Sequence, residues 1–269
     1  MSSVRDVVAD IEGMLADLQA ESDDLDAVLG TATADVLATA TPAEGWSVGD
    51  TIGHLWFFDR EGRRALQQPD DFLAGLDELA ADVAGYLERH IAEIRSLGES
   101  LLPAWREERR LIIEALREID PAVKVPWYGP PMSPMSFGTA RLMETWAHGQ
   151  DIVDALGATR EPTDRLRHIA HLGTRTRGFS YAVKGLEMPD VPVFVALTSP
   201  SGEEWTWGEP SATDRVAGDA LDFCLVVTQR RVADEVPLTV EGDAAREWMS
   251  IAQAFAGGPT TTDESRRGL

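Results

Sequence analysis

The sequence predicts an α+β protein with two folded parts, an N-terminal all-α helical bundle and a small C-terminal α+β domain. Apolar residues recur at three- and four-residue spacing through the first two thirds of the chain, as on the buried face of a helix. After Met188 and Pro189 the pattern changes to short β-branched and alternating runs, as in strands. With 269 residues, 43% of them hydrophobic, the chain can bury a sizeable core. We therefore place the bundle in residues 1–188, the small domain in residues 189–256 and a disordered tail in residues 257–269.

The first elements are two helices with clear apolar stripes. Residues 4–18 carry apolar side chains at helical spacing. A second helix begins after Ser47, whose hydroxyl can cap it while Asp50, three residues later, returns a hydrogen bond in a capping-box pattern. This helix carries His54 in a strongly aromatic stretch and should end before Pro69.

Helical spacing recurs in separate segments as far as residue 185, and one of the connections between them is rich in proline. Residues 125–137 hold four prolines, which lack the amide donor that a helix needs, so we expect a structured loop there. Loops between rigid helices often build binding surfaces, and Trp127 and Tyr128 are therefore candidate cofactor-binding residues that could line a pocket. The predicted helices around this loop cover residues 70–97, 105–119, 136–156 (ending at Gly157) and 163–185.

The C-terminal part reads as a small unit of strands and helices. β-Branched and alternating runs predict short strands, and two stretches with helical spacing lie among them. The predicted strands are residues 191–197, 203–207 and 237–240, and the predicted helices are residues 212–231 and 243–255.

The composition excludes several classes of partner. The chain has 46 acidic and 24 basic residues, a net charge of −22, whereas nucleic-acid binders concentrate Lys and Arg. The same charge opposes docking on an anionic membrane. No apolar run approaches the roughly 20 residues of a spanning helix, and the start lacks a signal-peptide core. We expect a cytoplasmic protein that acts on a small molecule, with no nucleic-acid or membrane partner and a homodimer left open.

The strongest chemical signal is a pair of metal-type ligands. Glu144 and His148 are four residues apart, which places both side chains on one helix face within reach of one ion. Imidazole and carboxylate together suit a borderline divalent metal such as zinc. The pair alone is a weak motif, because such pairs arise by chance on solvated helix faces. The flanking Trp146 and Ala147 favour a metal, since an uncompensated Glu and His would be costly in an apolar helix.

His54 is the candidate third ligand. It lies one turn beyond Asp50 in the other strongly apolar helix, and the alternative is a buried histidine bonded to a carbonyl. Helical bundles commonly build metal sites from facing helices. Three protein ligands leave a fourth position open, as in catalytic zinc sites. The sequence therefore predicts an open divalent metal site, with zinc favoured and nickel as the second choice.

The remaining histidines and the single cysteine predict no site. His90 belongs to a charged stretch that reads as a solvated helix face. His168 and His171 are three apart and could pair on a metal, but the arginines around them disfavour a cation. Cys224 lies in an apolar run, where a structural thiol is favoured over a nucleophile, and one cysteine cannot form an internal disulfide.

Three segments together carry a family resemblance. The chain has Gly-Trp-Ser at residues 45–47, His-Leu at residues 54–55 and Glu-Thr-Trp-Ala-His-Gly-Gln-Asp at residues 144–151. In this combination it resembles the mycothiol-dependent maleylpyruvate isomerase family, whose members are DinB-like metal-binding four-helix bundles. The resemblance covers most of residues 1–188. Residues 201–208 are similar to a domain named after wyosine base formation.

The resemblance implies a ligand set, a cosubstrate and a catalytic arginine. His54, Glu144 and His148 would be the metal ligands, and mycothiol would be the thiol cosubstrate. The family's C-terminal domain contributes an essential arginine, for which Arg230 is the best match and Arg231 the next. These two are the candidate catalytic residues, because guanidinium suits bidentate recognition of an anionic group. The alternative is that they only offset a helix macrodipole.

Three functional hypotheses follow. The first is a metal-dependent enzyme that uses a low-molecular-weight thiol to isomerise or conjugate an electrophilic small molecule. Of the 24 basic residues only Lys124 and Lys184 are lysine, and this arginine bias fits a GC-rich actinobacterial source, where mycothiol occurs. The second hypothesis is a non-catalytic metal- or ligand-binding stress protein with the same bundle. The third, RNA modification, is suggested only by the name of the C-terminal domain, and the net charge opposes it.

Overall fold

The computed structural model describes residues 11–257, which divide into two compact units. The first unit contains the described residues up to Thr41 together with Trp46–Leu156, and the second contains Pro42–Gly45 and the described residues from Gly157 onward. The α+β fold class predicted from the sequence is confirmed. The domain bounds predicted from the sequence stay a prediction. Within the described residues, no helix has an apolar stretch long enough to cross a membrane.

The first unit is helical. Its helices are α1 (Ile11–Leu29), α2 (Ala34–Leu37), α3 (Val48–Gln67), α4 (Pro69–Ala81), α5 (Val83–Leu97), α6 (Leu101–Glu118) and α7 (Pro134–Leu156). Helices α1, α3, α6 and α7 form the bundle, in which α1 and α3 each pack against both α6 and α7. Core side chains come from all four of these helices and include Leu25, Ile52, Leu55, Trp105 and Ile152. Residues 4–10 of the first predicted helix lie outside the described part of the chain.

The predicted capping box at the start of α3 is confirmed. The Ser47 hydroxyl accepts a hydrogen bond from the Asp50 amide at 3.1 Å, and the Asp50 carboxylate accepts one from the Ser47 amide at 2.9 Å. Two of the amides that a helix start leaves unpaired are thereby satisfied. The helix ends at Gln67, before Pro69, as expected.

The single helix predicted over residues 70–97 is wrong, because the chain breaks at Asp82 between α4 and α5. The backbone of Asp82 is non-helical, with φ −150° and ψ 83°. Its carboxylate accepts a hydrogen bond from the Gly85 amide at 2.9 Å and caps α5. Apolar spacing continues through this break and so does not reveal it. The local bond between the Asp82 carboxylate and the Gly85 amide marks where one helix ends and the next begins.

The proline-rich loop is confirmed, although it is shorter than predicted because α7 begins at Pro134 rather than at residue 136. Proline is favoured in the first turn of a helix, where its missing amide costs nothing. The loop is closed by a two-bond antiparallel bridge between Val125 and Met132, with N–O distances of 2.8 and 3.0 Å. Gly157 follows α7 with φ +58°, the left-handed conformation expected of a C-terminal glycine.

The second unit contains a mixed four-stranded sheet together with helices. Its elements are α8 (Leu166–Arg175), α9 (Arg177–Val183), β1 (Val193–Thr198), β2 (Glu204–Trp207), β3 (Asp214–Asp219), α10 (Ala220–Val227), β4 (Thr239–Glu241) and α11 (Asp243–Ile251). The strand order is β2-β1-β3-β4, with β1 and β3 parallel and both edge strands antiparallel to their neighbours. Val195 of β1 lies opposite Trp207 on one side and Val216 on the other.

Two helices predicted in this unit are wrong in part. The segment 163–185 breaks at Thr176, whose hydroxyl bonds to the carbonyls of Leu172 and Gly173 at 3.0 and 3.2 Å. The segment 212–231 is not one helix, because its first part forms β3 and α10 ends well before residue 231. β3 pairs in parallel with β1 along its whole length, and such distant pairing overrides local spacing.

The last helix is shorter than predicted. α11 ends at Ile251 rather than at residue 255, and the following chain turns to bond elsewhere. The Gln253 amide donates to the Ser180 hydroxyl at 3.0 Å, which ties the segment to α9. All but the first residue of the predicted disordered tail lies outside the described residues.

Candidate metal centre

His54, Glu144 and His148 lie together where α3 faces α7. Each side chain offers one ligand atom, an imidazole nitrogen or a carboxylate oxygen, and these atoms all lie within 4.8 Å of one another. No other group of three His, Cys, Asp or Glu side chains within residues 11–257 meets this condition. The structure thus brings together the three ligands that the sequence suggests.

The two helices position these side chains in different ways. Glu144 and His148 are one turn apart on α7, so helix geometry alone places them side by side, with Glu144 Oε2 3.4 Å from His148 Nε2. His54 comes from α3, and only the packing of α3 against α7 brings its ring to 4.5 Å from the His148 ring, measured between centroids. The capping box at Ser47 fixes the start of α3 less than two turns before His54.

Aromatic side chains cover the two histidine rings. Trp46 stacks on His148 with an interplanar angle of 7° and a centroid distance of 5.9 Å, and lies 5.2 Å from His54. Phe58, one turn after His54, lies 4.6 Å from the His54 ring. His148 is only 6% exposed, whereas the Glu144 side chain is 22% exposed. The site is therefore closed at His148 and more open at His54 and Glu144, which are both half-buried.

The charges in the site keep Glu144 ionised. Burial alone would raise the pKa of its carboxyl, but the hydrogen bond from His148 and the nearby charges of His148, Arg141 and His54 lower that pKa to about 2. An ionised carboxylate is the form that binds a cation. The donor set of two imidazoles and one carboxylate fits a borderline divalent ion, and three protein ligands leave room for an exogenous one.

Asp151 is a site residue to which sequence reasoning gave no role. Its Oδ2 lies 3.2 Å from Nδ1 of His148, the ring nitrogen opposite the one that faces Glu144. Asp151 is 7% exposed and lies one turn after His148 on α7. The spacing of three residues after a candidate ligand histidine is the signal that could have found it. Trp46 belongs to the Gly-Trp-Ser segment of the family resemblance, but its stacking on His148 depends on how α3 and α7 pack and has no signal in the spacing.

A buried ion pair lies close in sequence to the ligands. Arg141, one turn before Glu144, donates from Nε to Asp59 Oδ1 at 3.0 Å, and both side chains are at most 5% exposed. Burial raises the pKa of Asp59, and the Arg141 charge opposes that rise. Because Arg141 also lowers the pKa of Glu144, this pair links the core of the bundle electrostatically to the site.

Trp127 and Tyr128 lie in an aromatic cluster that reaches Phe58. Their ring centroids are 6.1 and 5.6 Å from that of Phe58. Trp127 also stacks on Phe72 at 5.6 Å, and the Tyr128 hydroxyl lies 3.2 Å from the Tyr86 hydroxyl. Burial and the neighbouring Tyr86 raise the pKa of Tyr128, which is therefore a neutral hydroxyl at physiological pH. Their predicted role in cofactor binding stays a prediction.

Arg230 and Arg231 follow α10 in a tight turn of the second unit rather than lying inside a helix. The turn places Gln229 at φ +61°, a left-handed value that is uncommon for a residue with a side chain. Arg230 donates from Nη1 to the Thr228 carbonyl, and Arg231 donates to the Arg230 carbonyl, each at 2.7 Å. Their catalytic assignment stays a prediction.

The other histidines have different surroundings. His90 is not on a solvated face as predicted, because its ring lies 4.4 Å from Phe57 and 4.1 Å from Tyr86 and its side chain is 20% exposed. Burial lowers the pKa of His90. His171 accepts a hydrogen bond from Trp207 Nε1 at 3.2 Å, and neither His171 nor His168 belongs to a three-ligand group in the described residues.

Two sequence comparisons bear on this site. The profile of the mycothiol maleylpyruvate isomerase N-terminal domain matches residues 18–153, a range that contains all three candidate ligands. Two uncharacterized proteins, from two strains of Mycobacterium tuberculosis, are each 45% identical to this chain over 253 residues. That match covers 94% of this chain and 98% of each relative.

Two solved structures share the fold. The crystal structure of the mycothiol-dependent maleylpyruvate isomerase superposes with a TM-score of 0.59 at 15% identity, over 89% of this chain and 95% of that chain. A histidine-to-alanine mutant of that isomerase gives 0.57 at 15% identity, over 86% and 93% of the two chains. At this identity the likeness establishes the fold alone.

Proposed function

This chain belongs to the family of the mycothiol maleylpyruvate isomerase N-terminal domain, and from that premise we propose that it is a metal-dependent, thiol-using enzyme. It isomerises or conjugates an electrophilic small molecule with mycothiol or a similar low-molecular-weight thiol. The observation that carries this proposal is the close group of His54, Glu144 and His148.

His54, Glu144 and His148 would hold the metal, for which zinc is the first choice and nickel the second. A divalent ion in such a site supplies positive charge that lowers the pKa of a thiol and favours the nucleophilic thiolate. Trp46 packs against the His148 ring and Phe58 against the His54 ring, which gives the ligand histidines aromatic neighbours. The ionised Glu144 contributes the negative charge that holds a cation.

The chemistry follows from a thiolate and an activated carbon. The thiolate adds to one carbon of a conjugated double bond, whose π electron pair moves onto the conjugated carbonyl as an enolate. The resulting single bond rotates, and return of the electron pair expels the thiolate and restores the double bond in the other geometry. With an electrophile that carries a leaving group, the thiolate displaces that group as an anion and a thioether remains. The similar solved structure is that of a mycothiol-dependent isomerase, which supports the first of these outcomes.

Further residues complete the proposal. Arg230, or Arg231 in its place, binds an anionic group of the substrate or thiol, since guanidinium recognises carboxylates in a bidentate way. Trp127 and Tyr128 contribute an aromatic wall for the bound thiol, which their cluster with Phe58 supports. We place the reaction in the cytoplasm, and the net charge of −22 supports a small-molecule partner over nucleic acid.

A turnover assay tests this function. Zinc-loaded protein is mixed with mycothiol and a panel of electrophiles that includes maleylpyruvate and chlorodinitrobenzene, and product is measured by chromatography. We expect turnover by the wild-type protein, loss in His148→Ala and retention in the control His171→Ala. Zinc binding without turnover on any member of the panel would contradict the enzyme and favour the non-catalytic binding protein.

A further inference from the structure

We propose that Asp151 is a positioning residue for His148, fixing the imidazole so that Nε2 faces the metal while Nδ1 carries a proton. This inference rests on the metal site of the proposed function and assigns the site a residue beyond its three ligands. The juxtaposition that carries it is a buried carboxylate on the far nitrogen of a candidate ligand histidine.

The geometry separates the two nitrogens of His148. Nε2 lies 3.4 Å from Glu144 Oε2, on the side of the candidate ligand group. Nδ1 lies 3.2 Å from Asp151 Oδ2. Residues 144, 148 and 151 are all on α7, at spacings of four and three, and one helix therefore aligns the ligand carboxylate, the imidazole and the second carboxylate.

With a metal on the side of Glu144, this arrangement favours one tautomer of the His148 ring. A neutral imidazole has one N–H and one lone pair, and a metal takes the lone pair. A metal that took the Nε2 lone pair would leave the ring proton on Nδ1, where the Asp151 carboxylate, which can only accept, would hold it. Ligand histidines in metal sites commonly have such a carboxylate on the other nitrogen.

Burial makes the contact more than a surface ion pair. His148 and Asp151 are 6% and 7% exposed, and a carboxylate withdrawn from water to that extent is held by hydrogen bonds, of which the contact with His148 Nδ1 is one. Exposed pairs at helical spacing contribute little and fluctuate. Asp151 contacts Nδ1, on the other side of the ring from the ligand group, and is therefore assigned to orientation and not to metal ligation.

Zinc affinity tests the role. The dissociation constant is measured by competition with a chromophoric chelator for the wild-type protein, Asp151→Ala and Asp151→Asn. The control is Asp154→Ala. Asp154 lies three residues after Asp151 on α7, and its carboxylate accepts a hydrogen bond from Gln150. We expect Asp151→Ala to weaken zinc binding by about 10- to 100-fold. The zinc affinity of Asp151→Asn should lie between those of wild type and Asp151→Ala, because the amide keeps an acceptor oxygen. The affinity of the control should stay within about twofold of wild type.

A second readout needs no substitution. The chain has five histidines, few enough for their ring nitrogens to be assigned by NMR in zinc-loaded, isotope-labelled wild-type protein. We expect His148 to show a hydrogen-bonded proton on Nδ1 and no proton on Nε2. A proton on Nε2 instead, with zinc bound, would overturn the inference even if the Asp151 variants did not fold.

The possible outcomes distinguish a failure of the Asp151 role from a failure of the proposed metal-dependent function. Wild-type protein that binds no zinc overturns both. Wild-type protein that binds zinc, with Asp151→Ala folded and unchanged in affinity, overturns only the role of Asp151.

Discussion

At the scale of single residues, the site depends on a small number of polar side chains held among aromatic rings. His54 and His148 are covered by Trp46 and Phe58, while Glu144 stays ionised although it is largely withdrawn from water. An ionised carboxylate beside two imidazoles is costly unless their charges compensate. A bound cation would provide that compensation most completely.

Removing the negative charge of Glu144 should therefore weaken metal binding. Glu144→Gln keeps the shape of the side chain but replaces a charged ligand with a neutral amide, and we expect the zinc dissociation constant to rise by about 10-fold or more, by analogy with other changes around metal sites. Chelator competition measures it. Glu114→Gln, which alters an exposed carboxylate on α6, serves as control and should leave affinity unchanged. Equal affinities for Glu144→Gln and wild type would remove Glu144 from the ligand set.

His90 offers a pH-dependence outside the metal site. Burial against Phe57 and Tyr86 lowers its pKa below 6.5, so the unfolded chain takes up a proton at a higher pH than the folded chain does. Protonation therefore favours unfolding as pH falls through 6.5, and the penalty is complete below the folded pKa. Urea unfolding of wild type and His90→Gln should show wild type losing stability relative to the variant over that window. A difference that is constant with pH would contradict this account.

At the scale of elements, the start of α3 has a direct structural role. Ser47→Ala removes the capping hydroxyl and leaves the Asp50 amide without that acceptor. We expect the free energy of unfolding to fall by about 1 kcal/mol, measured by urea denaturation of metal-free protein. The control is Ser96→Ala, since the Ser96 hydroxyl donates to the Glu93 carbonyl near the end of α5 and caps no amide. This control should lower the free energy of unfolding by less than Ser47→Ala does. A larger loss in the control would show that the cap does not limit stability.

The helices and strands also differ in how well the sequence alone predicted them. The capping box of α3, the end of that helix and the glycine after α7 were predictable, because each depends on residues a few positions apart. The break at Asp82 was missed, since apolar spacing runs through it while the local carboxylate–amide bond interrupts the helix. β3 was missed for the opposite reason, because its pairing partner β1 is distant along the chain.

In the candidate site too, features that depend on spacing along one helix were predictable and features that depend on helix packing were not. Glu144 and His148 were predictable as neighbours from their spacing on one helix, and Asp151 could have been found in the same way. The stacking of Trp46 on His148 required the packing of α3 against α7, for which the local sequence carries no signal. Family resemblance, rather than physics, supplied the assignment of Arg230.

At the scale of the whole molecule, metal binding should be coupled to folding. Zinc that binds the folded chain and not the unfolded one raises the free energy of unfolding, by about 2.7 kcal/mol when free zinc is 100 times the dissociation constant. Urea unfolding with and without zinc measures this. Magnesium is the control, because a net charge of −22 attracts cations without a specific site. Equal stabilisation by zinc and magnesium, or by zinc in His148→Ala, would indicate unspecific charge neutralisation.

We expect this family member to hold a divalent metal at His54, Glu144 and His148. Elemental analysis of zinc-loaded protein after exhaustive dialysis tests it most directly, with His148→Ala and the control His171→Ala treated in parallel. We expect about one zinc per chain in wild type and in the control, and almost none in His148→Ala. Full zinc occupancy in folded His148→Ala would contradict it.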